Sequence, residues 1–479
     1  MVQHLGWRLR AVLSIGLFWG GSLTLFPIDD SCFAQDRQPP AFRAATTVQQ
    51  PVFGIAIDPA GVLKSAQFAA PGSPVNRRHA MAARSKLPPD IITPSKLRKV
   101  SLRRLAAAIQ EKLDTGEDPG DAMLHLAGLL QVNYVLVLEK ENDIVLAGPA
   151  EGWFQDDSAR VVGLTTGWPT VLLADLLTAM SVFHPNKPSN TWVGCSIEPT
   201  QDSMTKLVNF NRSIPAAVPQ RQQMQVAQNV VQGTREALGL ANVLVFNLPS
   251  KSHMAQVMIE ADYRMKLIGL GLEPPPIAMQ TFFSRLDVAP RSQVQRWWFQ
   301  PSKHSVRIAK DSRSLEFAGV DVLLSTEDYA INASGNLYHT GKKPSGPATA
   351  YAKIFTDKYP EIAQASPVFK QLRTMVDLLV LAAHTQQLQA AGELDFAKTL
   401  YWDPPKSLLS ERAEPKRVPC VVNAKWTANR LIAASGGVSI APAELLDAER
   451  VLADAQEPLQ EQQSKLNQDY AKQMHWWWD

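Results

Sequence analysis

Apolar positions along this chain recur on two periods, and the switches between them predict interleaved strands and helices. From Val52 to Phe68 two β-rich runs flank Asp58-Pro59-Ala60-Gly61, which is hairpin chemistry. Residues 71 to 95 hold Pro71, Pro74, Pro88, Pro89 and Pro94 and read as a loop, without helix or central strand. Leu102, Leu105, Ile109 and Leu113 then share one helical face, with Gly116 just beyond it. A short helix from about Asp118 precedes strands at Val132 to Leu138 and Ile144 to Ala147, turned by Glu139 to Asp143. Val161 to Leu164, a helix from Thr170 to Met180, and Trp192 to Ile197 continue the alternation.

The second half predicts a helix from Gln220 to Leu238, a strand from Val243 to Leu248, and a helix from Ser252 to Ile268 stopped by Pro274-Pro275-Pro276. Short strands follow at Trp297 to Gln300, Ser305 to Ile308, Leu315 to Phe317 and Val320 to Leu324, then a long apolar helix from Pro367 to Leu388. Strands and helices alternate without a regular count or a Gly-rich first turn, so the expected class is α+β, with short mixed sheets and packed helices. The expected segments are 1–34, a leader; 35–50, a linker; 51–195 and 196–400, two α+β regions; 401–440, a Pro-rich boundary with short strands; and 441–479, a polar helix with a Trp tail. In that last helix Leu445, Leu452, Leu459 and Leu466 fall at heptad spacing. Ala448, Ala455, Gln462 and Asp469 and the interior Pro458 favour packing on the chain's own body over a coiled coil, and Trp476-Trp477-Trp478 is expected to dock there too.

The N-terminus sets the expected compartment. Arg8 and Arg10 precede an apolar run from Ala11 to Phe26, Pro27 breaks it, and Cys32 and Ala34 are small, so the segment reads as a secretory signal cleaved after Ala34. The run is too short and glycine-containing to span a bilayer, and the expected product is extracytoplasmic, periplasmic or secreted, and not membrane-spanning. Lys+Arg 48 against Asp+Glu 45 gives a net charge of +3, a balance that argues against nucleic acid as partner. Cys195 and Cys420 are the two cysteines left after cleavage, and an oxidising space makes them a candidate disulfide, the alternative being two buried thiols.

Candidate chemistry is sparse. HExxH, CxxC and GxSxG are absent, the nine histidines are scattered, and neither a metal site nor a cofactor is expected. Gly335 and Gly341-Lys342-Lys343 mimic a phosphate loop with the wrong spacing and read as a surface turn. The densest polar constellation is on the helix from Ser252. His253, Glu260 and Arg264 fall within about 40° of one another beside Met254, Val257, Met258, Ala261, Met265 and Ile268. Such a stripe can bind an anion and shuttle a proton, although roughly 10 Å of helix axis separates His253 from Glu260. The competing structural reading makes Glu260 with Arg264, and Asp262 with Lys266, ordinary i,i+4 pairs on an exposed face, with His253→Ala costing little. Residues 77 to 104 carry Arg77, Arg78, Arg84, Lys86, Lys96, Arg98, Lys99, Arg103 and Arg104 against the single acid Asp90, read as a solvated linker and helix face or a patch for an anionic envelope polymer.

Several stretches carry a resemblance. Gly194-Cys195-Ser196-Ile197-Glu198-Pro199-Thr200, Glu260-Ala261-Asp262-Tyr263-Arg264-Met265-Lys266 and Arg296-Trp297-Trp298-Phe299 resemble a family of secreted planctomycete bacterial proteins carrying a domain of unknown function. Ser101-Leu102-Arg103-Arg104-Leu105, Ala147-Gly148-Pro149-Ala150-Glu151-Gly152-Trp153 and Lys358-Tyr359-Pro360-Glu361 agree with it, over most of the chain up to about residue 440. The resemblance implies export and one long module, and supplies no catalytic residues. The resulting expectation is an exported, non-enzymatic protein that binds an envelope component or another protein. The alternative is an extracytoplasmic hydrolase working through His253, Glu260 and Arg264, and it gains if that stripe lines a concave pocket with a further acid or hydroxyl.

Overall fold

A computed structural model describes residues 52–479, apart from 71, 215–219, 287–293, 320–321, 332–336, 342, 345, 397–399, 426–429 and 456–457. The leader, the linker to residue 50, and Gly335 and Lys342 of the surface turn lie outside the described residues. Contacts gather Gln49–Asp479 into one compact unit.

The described residues open with the expected hairpin, β1 (Val52–Ile57) and β2 (Leu63–Phe68), in which Asp58 accepts from the backbone N–H groups of Ala60 and Val62 across the turn. The stretch expected to be a loop instead forms α1 (Pro74–Arg84), α2 (Pro89–Ile92) and the start of β3 (Ser95–Ser101). Its prolines do not forbid this, because Pro74 and Pro89 open their helices, where a missing N–H costs nothing, and Ser73 caps α1 by accepting from Asn76. There follow α3 (Leu102–Asp114), α4 (Asp121–Leu124), β4 (Tyr134–Leu138), β5 (Asp143–Ala150), the small hairpin β6 (Trp153–Gln155) and β7 (Val161–Gly163), α5 (Leu173–Val182) and β8 (Val193–Glu198). Next come α6 (Gln201–Ser213), which the sequence reading missed, α7 (Gln223–Leu238), β9 (Leu240–Phe246) and α8 (His253–Gly269). The remainder is β10 (Val294–Pro301), β11 (Val306–Ile308), β12 (Leu315–Phe317), β13 (Val322–Ile331), β14 (Leu337–His339), α9 (Gly346–Asp357), α10 (Tyr359–Ala365), α11 (Pro367–Ala390), β15 (Arg417–Pro419), β16 (Val421–Lys425), β17 (Arg430–Ile440), α12 (Pro442–Leu445), β18 (Leu452–Ala453), α13 (Pro458–Tyr470) and β19 (Trp477–Trp478).

The architecture is mixed α+β. The larger sheet runs β14-β13-β10-β17-β8-β9-β15, with β16 also paired to β17, and a second runs β18-β11-β12-β4-β5-β3-β19. Strands from early, middle and late segments thus share the same sheets. Within the larger one, β17 runs parallel to β10 and antiparallel to β8. Gly436 permits that close pairing, since it takes φ +117° and a Cβ there would sit 1.9 Å from the Trp297 carbonyl oxygen.

The C-terminal region differs from the continuous polar helix expected of it. Leu445 belongs to the main core, Leu452 sits in β18 beside β11, and only Leu459 and Leu466 share a helix. Pro458 opens that helix rather than interrupting it, and the Asp454 carboxylate accepts from the Leu459 and Gln460 N–H groups at 3.4 Å. Leu459, Leu466, Tyr470 and Trp478 pack on Leu136, Leu138 and Val145 as a satellite core. The Trp tail docks on its own body, β19 pairing antiparallel with β3.

That docking also accounts for part of the basic stretch. Arg98 is fully buried, donates to both carboxylate oxygens of Asp479 at 2.8 and 3.1 Å, and lies 4.5 Å from the Trp477 ring centre. Arg104 stacks on Tyr470 at 3.8 Å and donates to the Gln473 carbonyl.

The expected disulfide is absent: Cys195 and Cys420 are free thiols. Cys195 is enclosed in the main core on β8, whereas Cys420, just before β16, directs Sγ to the Leu238 carbonyl oxygen at 3.7 Å. Burial pushes both thiols up, Cys420 to about 12. No described helix is long and apolar enough to cross a membrane.

Candidate functional site

Helix α8 is where the candidate residues lie, and its sequence explains its placement. Ser252 caps it by accepting from Ala255 N–H at 3.2 Å. Apolar side chains then occur on every side, including Ile259 and Tyr263 opposite the methionines, so no face is fit for solvent. The helix packs on β8 and β17 on one side and on α5 and α11 on the other, with His253, Glu260, Asp262, Arg264 and Lys266 all buried. This corrects the expectation of an exposed stripe. Charges at such positions require partners, and these come both from the helix itself, where Asp262 meets Lys266 and Glu260 meets Arg264 at i,i+4, and from elsewhere in the chain.

His253 Nδ1 lies 2.8 Å from Asp175 Oδ2, in the first turn of α5. With that carboxylate accepting, Nδ1 carries the proton and Nε2 accepts from the Gln371 amide at 3.3 Å. Gln371 in turn accepts from Arg160 Nε at 3.1 Å, and Arg160 Nη2 donates to Glu260 Oε2 at 2.5 Å. Behind Glu260, Arg264 Nη1 stands 3.7 Å from Oε1, while its Nε and Nη2 donate to Glu273 Oε1 at 3.0 and 2.8 Å. Burial raises the Glu273 carboxyl despite the guanidinium beside it.

One wall of this chain of groups is open. His253, Glu260, Gln371 and Arg160 line a cleft of about 360 Å³, together with Gln155, Arg412 and the hydroxyls of Ser158, Thr170, Ser407 and Ser410. His125 also borders it, its imidazole pushed down to about 4 by burial against the pull of Asp121. Of the three residues singled out from sequence, His253 and Glu260 therefore meet at one cleft, bridged by Gln371 and Arg160. Arg264 does not reach it and supports Glu260 from behind.

Asp175, Arg160 and Gln371 escaped the sequence reading. The one usable signal was Asp175, a lone carboxylate in the apolar run Leu172-Leu173-Ala174-Asp175-Leu176-Leu177, which must find a partner if that helix is buried. The pair Asp262 and Lys266 is different. Both side chains are wholly enclosed, Lys266 Nζ donating to Asp262 Oδ2 at 2.7 Å and to the Gly436 carbonyl at 3.1 Å. Burial raises Asp262 to about 6, although Lys266 pulls it down. They do not line the cleft beside His253, and they fasten α8 to the sheet. No group of three or more His, Cys, Asp or Glu among the described residues is arranged to hold a metal.

The arrangement offers an imidazole fixed at both nitrogens, a guanidinium held between an amide and a carboxylate, and a rim of hydroxyls. A family model described as a protein of unknown function (DUF1598) matches residues 195–282, a span that runs from β8 through α8 and so includes His253, Glu260 and Arg264. No curated protein and no solved structure matches the chain.

Proposed function

We propose that this is an exported, non-enzymatic binding protein that takes a small polar molecule into the cleft beside α8. Export rests on the order of basic, apolar and small residues up to Ala34. The observation that carries the binding reading is the unbroken run Asp175, His253, Gln371, Arg160, Glu260, in which each group is held by the next and all but Asp175 line the cleft. Groups fixed in this way lose little freedom when a ligand arrives, and the cleft's size is that of a small-molecule site. Donors and acceptors of both kinds, with one carboxylate beside Arg160 and Arg412, favour a ligand rich in hydroxyl or amide groups. Native mass spectrometry of the protein mixed with monosaccharides, amino acids and nucleosides tests this. An adduct of one class that Arg160→Met abolishes is expected; no adduct from any class overturns the reading.

A second reading, hydrolysis, has its own support in the Asp175–His253 pair, because an imidazole oriented by a carboxylate at a cleft is the arrangement of a general base once the Gln371 amide that Nε2 accepts from gives way to a substrate. A panel of p-nitrophenyl esters, phosphates and glycosides separates the two. Turnover that His253→Gln removes while adduct formation survives would replace the binding reading by the enzymatic one.

A further inference from the structure

A second surface lies on the opposite face of the larger sheet, beyond the cleft and independent of it. Strand side chains alternate. Along β8, β10 and β17 the inward set Cys195, Ile197, Trp297, Phe299 and Val438 enters the main core. The outward set includes Glu198, Arg296 and Trp298, which line a shallow groove of about 450 Å³ with Trp192, Phe246 and Glu327. The α6–α7 pair covers another part of this face, where Met204, Leu207 and Leu238 pack on Val422 and Ala433. At the groove the face stays open. Trp192 is 39 % and Leu244 43 % exposed, two of the few large apolar side chains so placed.

We propose that this face binds a saccharide chain. Trp192 and Phe246 lie 5.1 Å apart with their rings inclined by only 37°, forming an apolar floor. Trp298 extends it and is locked, its indole N–H donating to Glu327 Oε2 at 3.2 Å and its ring lying 5.0 Å from the Arg296 guanidinium, which itself donates to Glu198 at 2.6 Å. Flat apolar ring faces bordered by carboxylates and a guanidinium match a pyranose, whose C–H face is apolar and whose rim carries hydroxyls that both donate and accept. Two carboxylates against one guanidinium disfavour nucleic acid and phosphate, whose binding requires a positive excess. The groove is open rather than enclosed, which suits several units of a chain rather than one small molecule.

The test uses the intact protein and three neutral probes, cellohexaose, chitohexaose and maltohexaose, followed by tryptophan fluorescence and calorimetry. Saturable binding of at least one is expected, weakened at least tenfold by Trp298→Ala and by Trp192→Ala, with Arg160→Met in the cleft leaving it unchanged. Trp192 is exposed, so its variant keeps the test valid should Trp298→Ala fail to fold. The proposal is overturned if no hexasaccharide binds at millimolar concentration, or if Arg160→Met abolishes binding that Trp192→Ala spares, which moves the sugar to the cleft. A concentration-dependent dimer that Trp192→Ala dissolves also overturns it, because the face then belongs to a second copy. Adducts in the cleft test and saccharide binding here read different residues, so either reading can fail alone.

Discussion

Helix α8 and the basic stretch from Arg77 to Arg104 are both crowded with charge, yet every charged group of the first is buried while the second is mostly exposed. Charge density does not separate them. What differs is the apolar content between the charges, which surrounds α8 on all sides but is interrupted by exposed alanines, prolines and polar residues along α1 and α2. Burying α8 forces each of its charged groups to find a partner, and the cost of ionising them indoors makes every partner indispensable. In the basic stretch Arg98 is enclosed and Arg104 half-buried, both by finding carbonyls, carboxylates or rings on the C-terminal segment.

The sharpest test of that difference is Lys266→Met, expected to cost about 3 to 5 kcal/mol in denaturant titration because it leaves Asp262 buried without its cation. A pH signature accompanies it. With Asp262 raised from its ordinary value of 3.8 to about 6, the folded state holds a proton that the unfolded state releases, so this group's contribution to stability declines as pH rises from about 4 to 6. Removing Lys266 takes away a lowering influence, so the decline should steepen and extend to higher pH. Adding Asp262→Asn should flatten it and recover part of the loss. A single variant as stable as the wild type at pH 7 would show that these charges are not enclosed.

Arg98→Ala comes next. It removes donors from the carbonyls of Asp90, Ile91, Thr93 and Ala127 and from the half-exposed Asp479, a loss expected toward the upper end of about 1 to 3 kcal/mol. Faster amide exchange in Trp477 and Trp478 should accompany the loss. Unchanged protection there would mean that the β19–β3 pairing and the tryptophan rings hold the tail without Arg98.

His253→Ala is expected to cost less, toward the lower end of about 1 to 3 kcal/mol, because water from the cleft can take the place of the imidazole beside Asp175. That exceeds the few tenths expected of an exposed stripe. It also marks how far the site was legible. His253 and Glu260 stood out as polar residues on an apolar helix, but Asp175, Arg160 and Gln371 reach them across 78, 100 and 118 residues of chain, where no local period can encode the meeting. The same limit shaped the fold. The hairpin at Asp58, helix α3 and the β4–β5 pair follow local turn and periodicity signals and were found. Strand β17, whose Ser435-Gly436-Gly437 has the composition of a loop, takes the middle of a sheet because those glycines admit Trp297 and Cys195 backbone oxygens at 1.9 Å from where a Cβ would stand. Pro74 and Pro89, expected in a loop, and Pro458, expected inside a helix, instead open helices, a role that depends on which residue starts the turn.

The smallest expected effect completes the comparison. Arg84→Ala, at an exposed position in the last turn of α1, should change stability by less than about 0.5 kcal/mol. Its guanidinium can favour the carboxyl end of the helix, but a charge in water contributes only a few tenths there and salt screens it. Denaturant midpoints at about 20 and 500 mM salt, spanning weak and strong screening, read that contribution directly as a small difference that vanishes at the higher concentration. A loss comparable with that of Arg98→Ala, persisting at high salt, would mean that this arginine is buried too, and that composition between charges does not decide which of them enter the core.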